Sequence, residues 1–128
     1  MQKKSGELSS ILYVEDDSIS REVVYMFLKD DFLIDTVSDS SEAMEKLRKN
    51  NYSAILLDIS LCKGIGGLEL AREIRKLKNY KKIPIIAVTA LAFKEDEKRI
   101  LTGGCTHYIS KPFNRQALIG TIKKALSK

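Results

Sequence analysis

An apolar run, ILLD at residues 55–58, climbs to a single carboxylate, Asp58, and breaks into the glycine-bearing segment ISLCKGIGG, residues 59–67. A second run, ILYV at 11–14, delivers three consecutive acids, Glu15, Asp16 and Asp17. A third, IIAV at 85–88, ends on Thr89, and the short THYIS at 106–110 precedes Lys111-Pro112. Carboxylates held close together repel one another unless a cation sits between them. Oxygen-only ligands at a partly open place suit Mg²⁺, which keeps several waters and prefers to share a phosphate. A lysine and a threonine hydroxyl can take the remaining phosphate oxygens. That set favours phosphoryl transfer, where positioning and charge neutralisation carry most of the catalysis. A carboxylate can itself be the nucleophile and form an aspartyl phosphate. Each residue alone has an ordinary explanation: Asp17 as a turn residue or helix cap, Thr89 as a turn former, Lys111 as a surface lysine. The chemistry requires that the chain bring them together.

The elements between these residues supply the means. SILYV (10–14), FLIDTV (32–37), YSAILLD (52–58), IPIIAVTA (83–90) and THYIS (106–110) read as strands, the third apolar on both faces. Pro84 stands at the start of the fourth, where a missing N–H is tolerated. Helical spacing follows each strand. In 17–30 it runs through Ile19, Val23, Met26 and Phe27, with Ser18 as the expected cap. In 38–50 it runs through Ala43, Met44 and Leu47, with serines at the start. In 67–79 it runs through Leu68, Leu70, Ala71, Ile74 and Leu77. Residues 93–104 carry acids early, basic residues later and Gly103 or Gly104 as the stop. Residues 114–128 form the last helix. Five strand–helix repeats with continuously apolar strands predict an α/β fold with a parallel sheet covered on both faces. A closed eight-stranded barrel needs twice the length, which leaves an open, doubly wound sheet. Ligands in such sheets lie outside the carboxyl ends of the strands, where Glu15–Asp17, Asp58, Thr89 and Lys111 all fall.

Taken in order, ILYVEDDSISRE, ILLDISL, IIAVTA and YISKPF resemble the receiver domain of two-component response regulators, over roughly residues 9–127. The resemblance implies a flavodoxin-like (βα)5 fold with strand order 2-1-3-4-5. It makes Asp58 the phosphoacceptor, and Thr89 and Lys111 the phosphate-contacting residues. It places Mg²⁺ (or Mn²⁺) on Asp16 directly, on Glu15 through water, on Asp58, and on the backbone carbonyl of Ser60. Tyr108 falls at the aromatic switch position, and the Lys111-Pro112 bond is expected to be cis. The implied function is Mg-dependent transfer of a phosphoryl group from a kinase histidine to Asp58, with slow autodephosphorylation, switching the face formed by the fourth helix, fifth strand and fifth helix. A histidine kinase or histidine phosphotransfer protein is the implied donor. A downstream protein or a second copy of the chain is the implied reader of that face, where Leu91, Ala92 and Phe93 are apolar candidates. Such a chain is not an enzyme in the usual sense. Where receivers commonly carry Pro and then Asp-Gly after the acceptor, this chain has Cys62 and Gly66-Gly67, and runs one residue longer.

Residues 1–9 read as a polar tail and 10–128 as one receiver domain. No apolar run reaches the roughly 20 residues a bilayer needs and the N-terminus has no secretory h-region, so a cytoplasmic location without membrane contact is expected. Cys62 and Cys105 have no metal or disulfide spacing and read as reduced thiols. The net charge of +5 is fed by REIRKLKNYKK, Arg72–Lys82. Without interleaved aromatics or a DNA-binding motif, that run reads as a solvated helix face rather than a direct nucleic-acid contact. Gly64–Gly67 lacks the Gly-Lys-Ser/Thr ending of a P-loop. His107 reads as an edge residue, not a phosphoryl donor. Two other functions compete. A Mg-dependent aspartyl-phosphate hydrolase would carry a second acid two residues after its nucleophile, where this chain has Ser60. A receiver-like interaction module acting without phosphorylation would have no need of the intact acids, threonine and lysine.

Overall fold

The computed structural model describes residues 8–61, 65–90 and 94–127. Five strands, β1 (Ser10–Val14), β2 (Leu33–Val37), β3 (Ala54–Asp58), β4 (Ile85–Thr89) and β5 (His107–Ser110), alternate with five helices. The helices are α1 (Ser18–Leu28), α2 (Ser40–Lys49), α3 (Gly67–Lys76), α4 (Lys94–Thr102) and α5 (Arg115–Leu126), with one 3-10 turn at Lys78–Tyr80. All strand pairs are parallel, in the order β2-β1-β3-β4-β5, as expected. None of the described helices is long and apolar enough to cross a membrane.

The inner strands β1, β3 and β4 are apolar on both faces because both faces are covered, while the edge strands β2 and β5 are partly exposed. Successive side chains alternate. Leu12, Val14, Ile55, Leu57, Ile85 and Ala87 meet Ala43, Leu47, Leu70, Ala71 and Ile74 of α2 and α3. Ile11, Tyr13, Leu56, Ile86 and Val88 meet Val24, Leu28, Leu118 and Ile122 of α1 and α5.

Helix α1 departs from expectation twice. Its cap is not Ser18 but Asp17, the helix-cap reading of that acid: the Asp17 carboxylate accepts from the Ser20 amide at 2.9 Å and the Ser20 hydroxyl at 2.7 Å. The same two donors hold the Asp17 carboxyl below its ordinary range. Its buried residues are Val24 and Leu28, while Ile19 (70% exposed), Val23 and Met26 face outward. The helix is apolar on more than one side, so spacing alone could not pick the inward stripe. In α2, Asp39 precedes the serines and accepts from the Glu42 amide.

The basic stretch is not all solvated face. Arg75 turns inward and donates to the carbonyls of Tyr80, Ile83 and Gly104. It ties α3 to the turn after α4, where Gly104 takes a φ of 112° that disfavours any side chain. Cys105 is buried and free; burial pushes its thiol up to about 11, the inert range. Cys62, Leu91, Ala92 and Phe93 lie outside the described residues.

Candidate functional site

Sheet hydrogen bonding runs one residue beyond three strand ends and thereby sets the site. The Glu15 amide donates to the Val37 carbonyl at 3.0 Å, Ile59 to Val88 at 3.1 Å, and Lys111 to Thr89 at 2.7 Å. From α1, Arg21 donates to the Glu15 carbonyl at 2.7 Å and pins the end of β1. The alternation that buries Tyr13 and Leu56 on the α1/α5 side directs Glu15 and Asp58 to that same side, two residues further on.

The acids sit close together. Glu15, Asp16 and Asp58 each offer a carboxylate oxygen, and these oxygens lie within 4.8 Å of one another. Glu15 is 1% exposed and Asp58 2%, while Asp16 is half-buried. Asp58 Oδ1 accepts from both the amide (3.0 Å) and the hydroxyl (2.9 Å) of Ser60. Lys111, reached through a cis bond to Pro112, puts its ammonium 3.1 Å from Glu15 Oε1 and 3.9 Å from Asp58 Oδ1. The Tyr13 hydroxyl donates to the same Glu15 oxygen at 2.8 Å. Thr89 ends β4, 3% exposed, one strand over. Three carboxylates against one ammonium leave an excess of negative charge on a hard, all-oxygen donor set, which fits Mg²⁺ or Mn²⁺.

Tyr108 stands apart from this cluster. It pairs with Ala87, is 38% exposed, and has its phenol raised by a hydrogen bond to Glu97 of α4. Thus Glu15, Asp16, Asp58 and Lys111 converge and Thr89 borders them. Asp17 is taken by its cap. Ser60 meets Asp58 through its amide and hydroxyl.

Burial, then the adjoining Asp58 carboxylate, pushes Glu15 up to about 7 from an ordinary 4.5, against the pull of Tyr13 and Lys111. The folded chain therefore keeps a proton that the unfolded chain has lost between those values. The stabilisation is complete below pH 4.5 and is lost as pH rises through 7. In metal-free buffer the protein is expected to melt lower at pH 8 than at pH 6, and Glu15→Gln to flatten that slope. Equal slopes in thermal scans of the two proteins would remove Glu15 as its source.

Spacing alone had not marked two neighbours of the site. Tyr13 lies two residues before Glu15 on a strand, so period-two alternation puts both on one face but does not show that the hydroxyl reaches the carboxylate. Gly67, the first residue of α3, packs against the end of β3: a Cβ there would lie 2.6 Å from the Asp58 carbonyl oxygen and from Ile59 Cα. Gly67→Ala is expected to destabilise by about 1–3 kcal/mol through overpacking against backbone. Gly120→Ala, with nothing within 4 Å, should instead stabilise α5 by about 0.5–1 kcal/mol. Denaturant midpoints at constant slope test both; a tolerated Gly67→Ala would mean the α3 start can back away from Asp58.

The response regulator receiver domain model matches residues 11–123. The chain belongs to this family. Among curated relatives, the polar-differentiation response regulator DivK of Brucella ovis is 37% identical over 119 residues, covering 91% of this chain and 95% of that protein. Among solved structures, the receiver domain of the sensor histidine kinase PA1611 of Pseudomonas aeruginosa, with a magnesium ion coordinated in its active-site cleft, is 31% identical with a TM-score of 0.86, covering 95% of this chain and all of that one. Chemotaxis protein CheY4 of Vibrio cholerae is 27% identical with a TM-score of 0.89, covering 94% of this chain and all of that one. The chain is thus a receiver domain of two-component signalling with an acidic cluster suited to Mg²⁺, and its family implies a histidine kinase partner.

Proposed function

We propose that this receiver is a phosphoacceptor switch in which Asp58 takes a phosphoryl group from a phosphohistidine. An Asp58 oxygen attacks phosphorus, the P–N bond breaks, and the imidazole leaves. Water later attacks the acyl phosphate and returns the carboxylate. The observation that carries the reading is Asp58 itself: a 2% exposed carboxylate at a strand end, two acids close by and an ammonium 3.9 Å away. Mg²⁺ or Mn²⁺, held by Asp16, Asp58, the Ser60 carbonyl and, through water, Glu15, would supply charge neutralisation for the transferring group. Lys111 meets one phosphoryl oxygen and Thr89 another. The homologue with magnesium in its cleft supports the metal assignment.

The donor approaches over α1. Ile19, Val23 and Met26 form an outward apolar stripe, and a shallow groove joins Ile19, Val23 and Phe27 to Lys111, Pro112 and Phe113 beside the site. A histidine-bearing helical partner covering that stripe comes up beside Lys111 and Asp58.

The output lies on the other side. Phosphate on Asp58 draws Thr89 toward it, and Tyr108, now outward and bonded to Glu97, swings into the vacated space. That changes the α4-β5-α5 face read by a downstream protein or a second copy of the chain. Energy for the shift comes only from contacts that differ between the two states.

Incubation with acetyl phosphate and Mg²⁺ followed by intact mass tests the function. One phosphoryl group is expected, and none in chelator. Ile19→Asp should slow transfer from a phosphohistidine protein but not from acetyl phosphate. Amide exchange with beryllofluoride, standing in for the phosphoryl group, should change at Tyr108 and residues 89–103. Changes confined to 68–80 would sink the switch while leaving phosphorylation intact, and no phosphoryl uptake would favour an interaction module.

A further inference from the structure

The phosphoacceptor reading, on which the following rests, asks Lys111 to serve two anions in turn. Its ammonium is 3.1 Å from Glu15 Oε1 and 3.9 Å from Asp58 Oδ1, so it must leave Glu15 to meet a phosphoryl oxygen. Glu15 is 1% exposed, so apart from a metal-bound water no solvent is at hand to replace the departing donor. A buried carboxylate that loses a donor is costly. Its other oxygen takes a long contact from the Asp17 amide, 3.3 Å, and its hydrogen bond to Asp58 is to another acid, which raises rather than relieves its charge cost. The remaining strong protein donor is the Tyr13 hydroxyl, 2.8 Å from Oε1. Its ring is fully buried in the α1/α5-side core, and a phenylalanine would fill that space equally well. The hydroxyl is therefore the part of Tyr13 that packing does not require, and it is aimed at the site.

We propose that Tyr13 is a positioning residue of the phosphorylation site: its hydroxyl keeps Glu15 in place while Lys111 transfers from Glu15 to the phosphoryl group. Tyr13 touches neither metal nor phosphate; it acts through Glu15. Because Tyr13 and Lys111 donate to one oxygen, each covers for the loss of the other. Without Tyr13, Lys111 is the sole strong donor to Glu15 and is held back from the phosphoryl group.

The test is a double-mutant cycle on Tyr13→Phe and Lys111→Ala. In chelator, denaturant unfolding should show the double variant losing more stability than the two single losses added together, since Glu15 then has neither donor. Cooperative unfolding also shows that each variant folds. With acetyl phosphate and saturating Mg²⁺, Tyr13→Phe should slow phosphoryl uptake about tenfold, the size of a hydrogen bond to a charged group, and should have no further effect in the Lys111→Ala background. A purely structural tyrosine gives additive stabilities or the same slowing in both backgrounds, and either result overturns the proposal. If the unmodified protein takes up no phosphoryl group, the phosphoacceptor reading and this inference both fail. If it does and the cycle is additive, only the inference fails.

Discussion

Asp58→Asn is expected to fold as the native protein does and to take up no phosphoryl group. The amide has the carboxylate's shape, and its oxygen keeps both donors from Ser60, at 3.0 and 2.9 Å. Its nitrogen adds a donor beside Glu15, where the native chain sets carboxylate against carboxylate. Three acids and one lysine become two and one, so metal-free stability should hold or rise slightly. Chemistry is a different matter. An amide oxygen is a poor nucleophile toward phosphorus, and no other acid of the cluster occupies the strand-end position that Ser60 and Lys111 surround. Uptake from acetyl phosphate, read by intact mass, should fall to background, as losses of a nucleophile do. Stoichiometric phosphorylation of the variant at another residue would remove Asp58 from its role.

Much of this site was legible from strand ends. A strand apolar on both faces must lie inside a covered parallel sheet, and such sheets present their carboxyl ends to ligands. Glu15, Asp16, Asp58 and Lys111 therefore meet because of topology, whatever their neighbours. Helix α1 was less legible for a physical reason. Ile19, Val23 and Met26 are as apolar as Val24 and Leu28, so two stripes compete and periodicity cannot rank them. The Asp17 cap sets where the helix begins and hence which stripe faces Leu56 and Ile86. The stripe left outside then flanks the site, where an apolar surface has a use. Arg75 shows the converse. Charge marked it as solvated, yet it shares a helix face with Ala71 and Ile74, and bare carbonyls at Tyr80, Ile83 and Gly104 satisfy it. Residue type predicts burial poorly when backbone acceptors are waiting. Tyr13 was hidden by its own size: a large ring in a strand reads as core, and nothing in the run ILYV says that its hydroxyl reaches the next same-side residue.

Asp16→Ala should weaken Mg²⁺ binding at least about tenfold, more than Glu15→Gln does, and yet yield a more stable protein in chelator. The asymmetry follows from how each acid is held. Glu15 already spends one oxygen on Tyr13 and Lys111 and is buried at the back of the cluster. Asp16 is half-buried and so more open to an arriving hydrated ion than Glu15, which is 1% exposed. Removing it takes away one of three like charges within 4.8 Å, so the metal-free fold should gain about 0.5–2 kcal/mol, the range seen when a functional strain is relieved. Metal reverses the order. The native chain gains RT ln(1 + [Mg²⁺]/Kd) on binding, while the variant gains less because its Kd is higher. Melting curves of the two proteins should therefore cross as Mg²⁺ is titrated, with the variant ahead at zero metal and the native chain ahead at saturation. Equal Mg²⁺ affinity by calorimetry, or parallel curves that never cross, would mean that Asp16 neither binds the ion nor repels its neighbours, and the acids at the end of β1 would have to owe their place to something other than a cation.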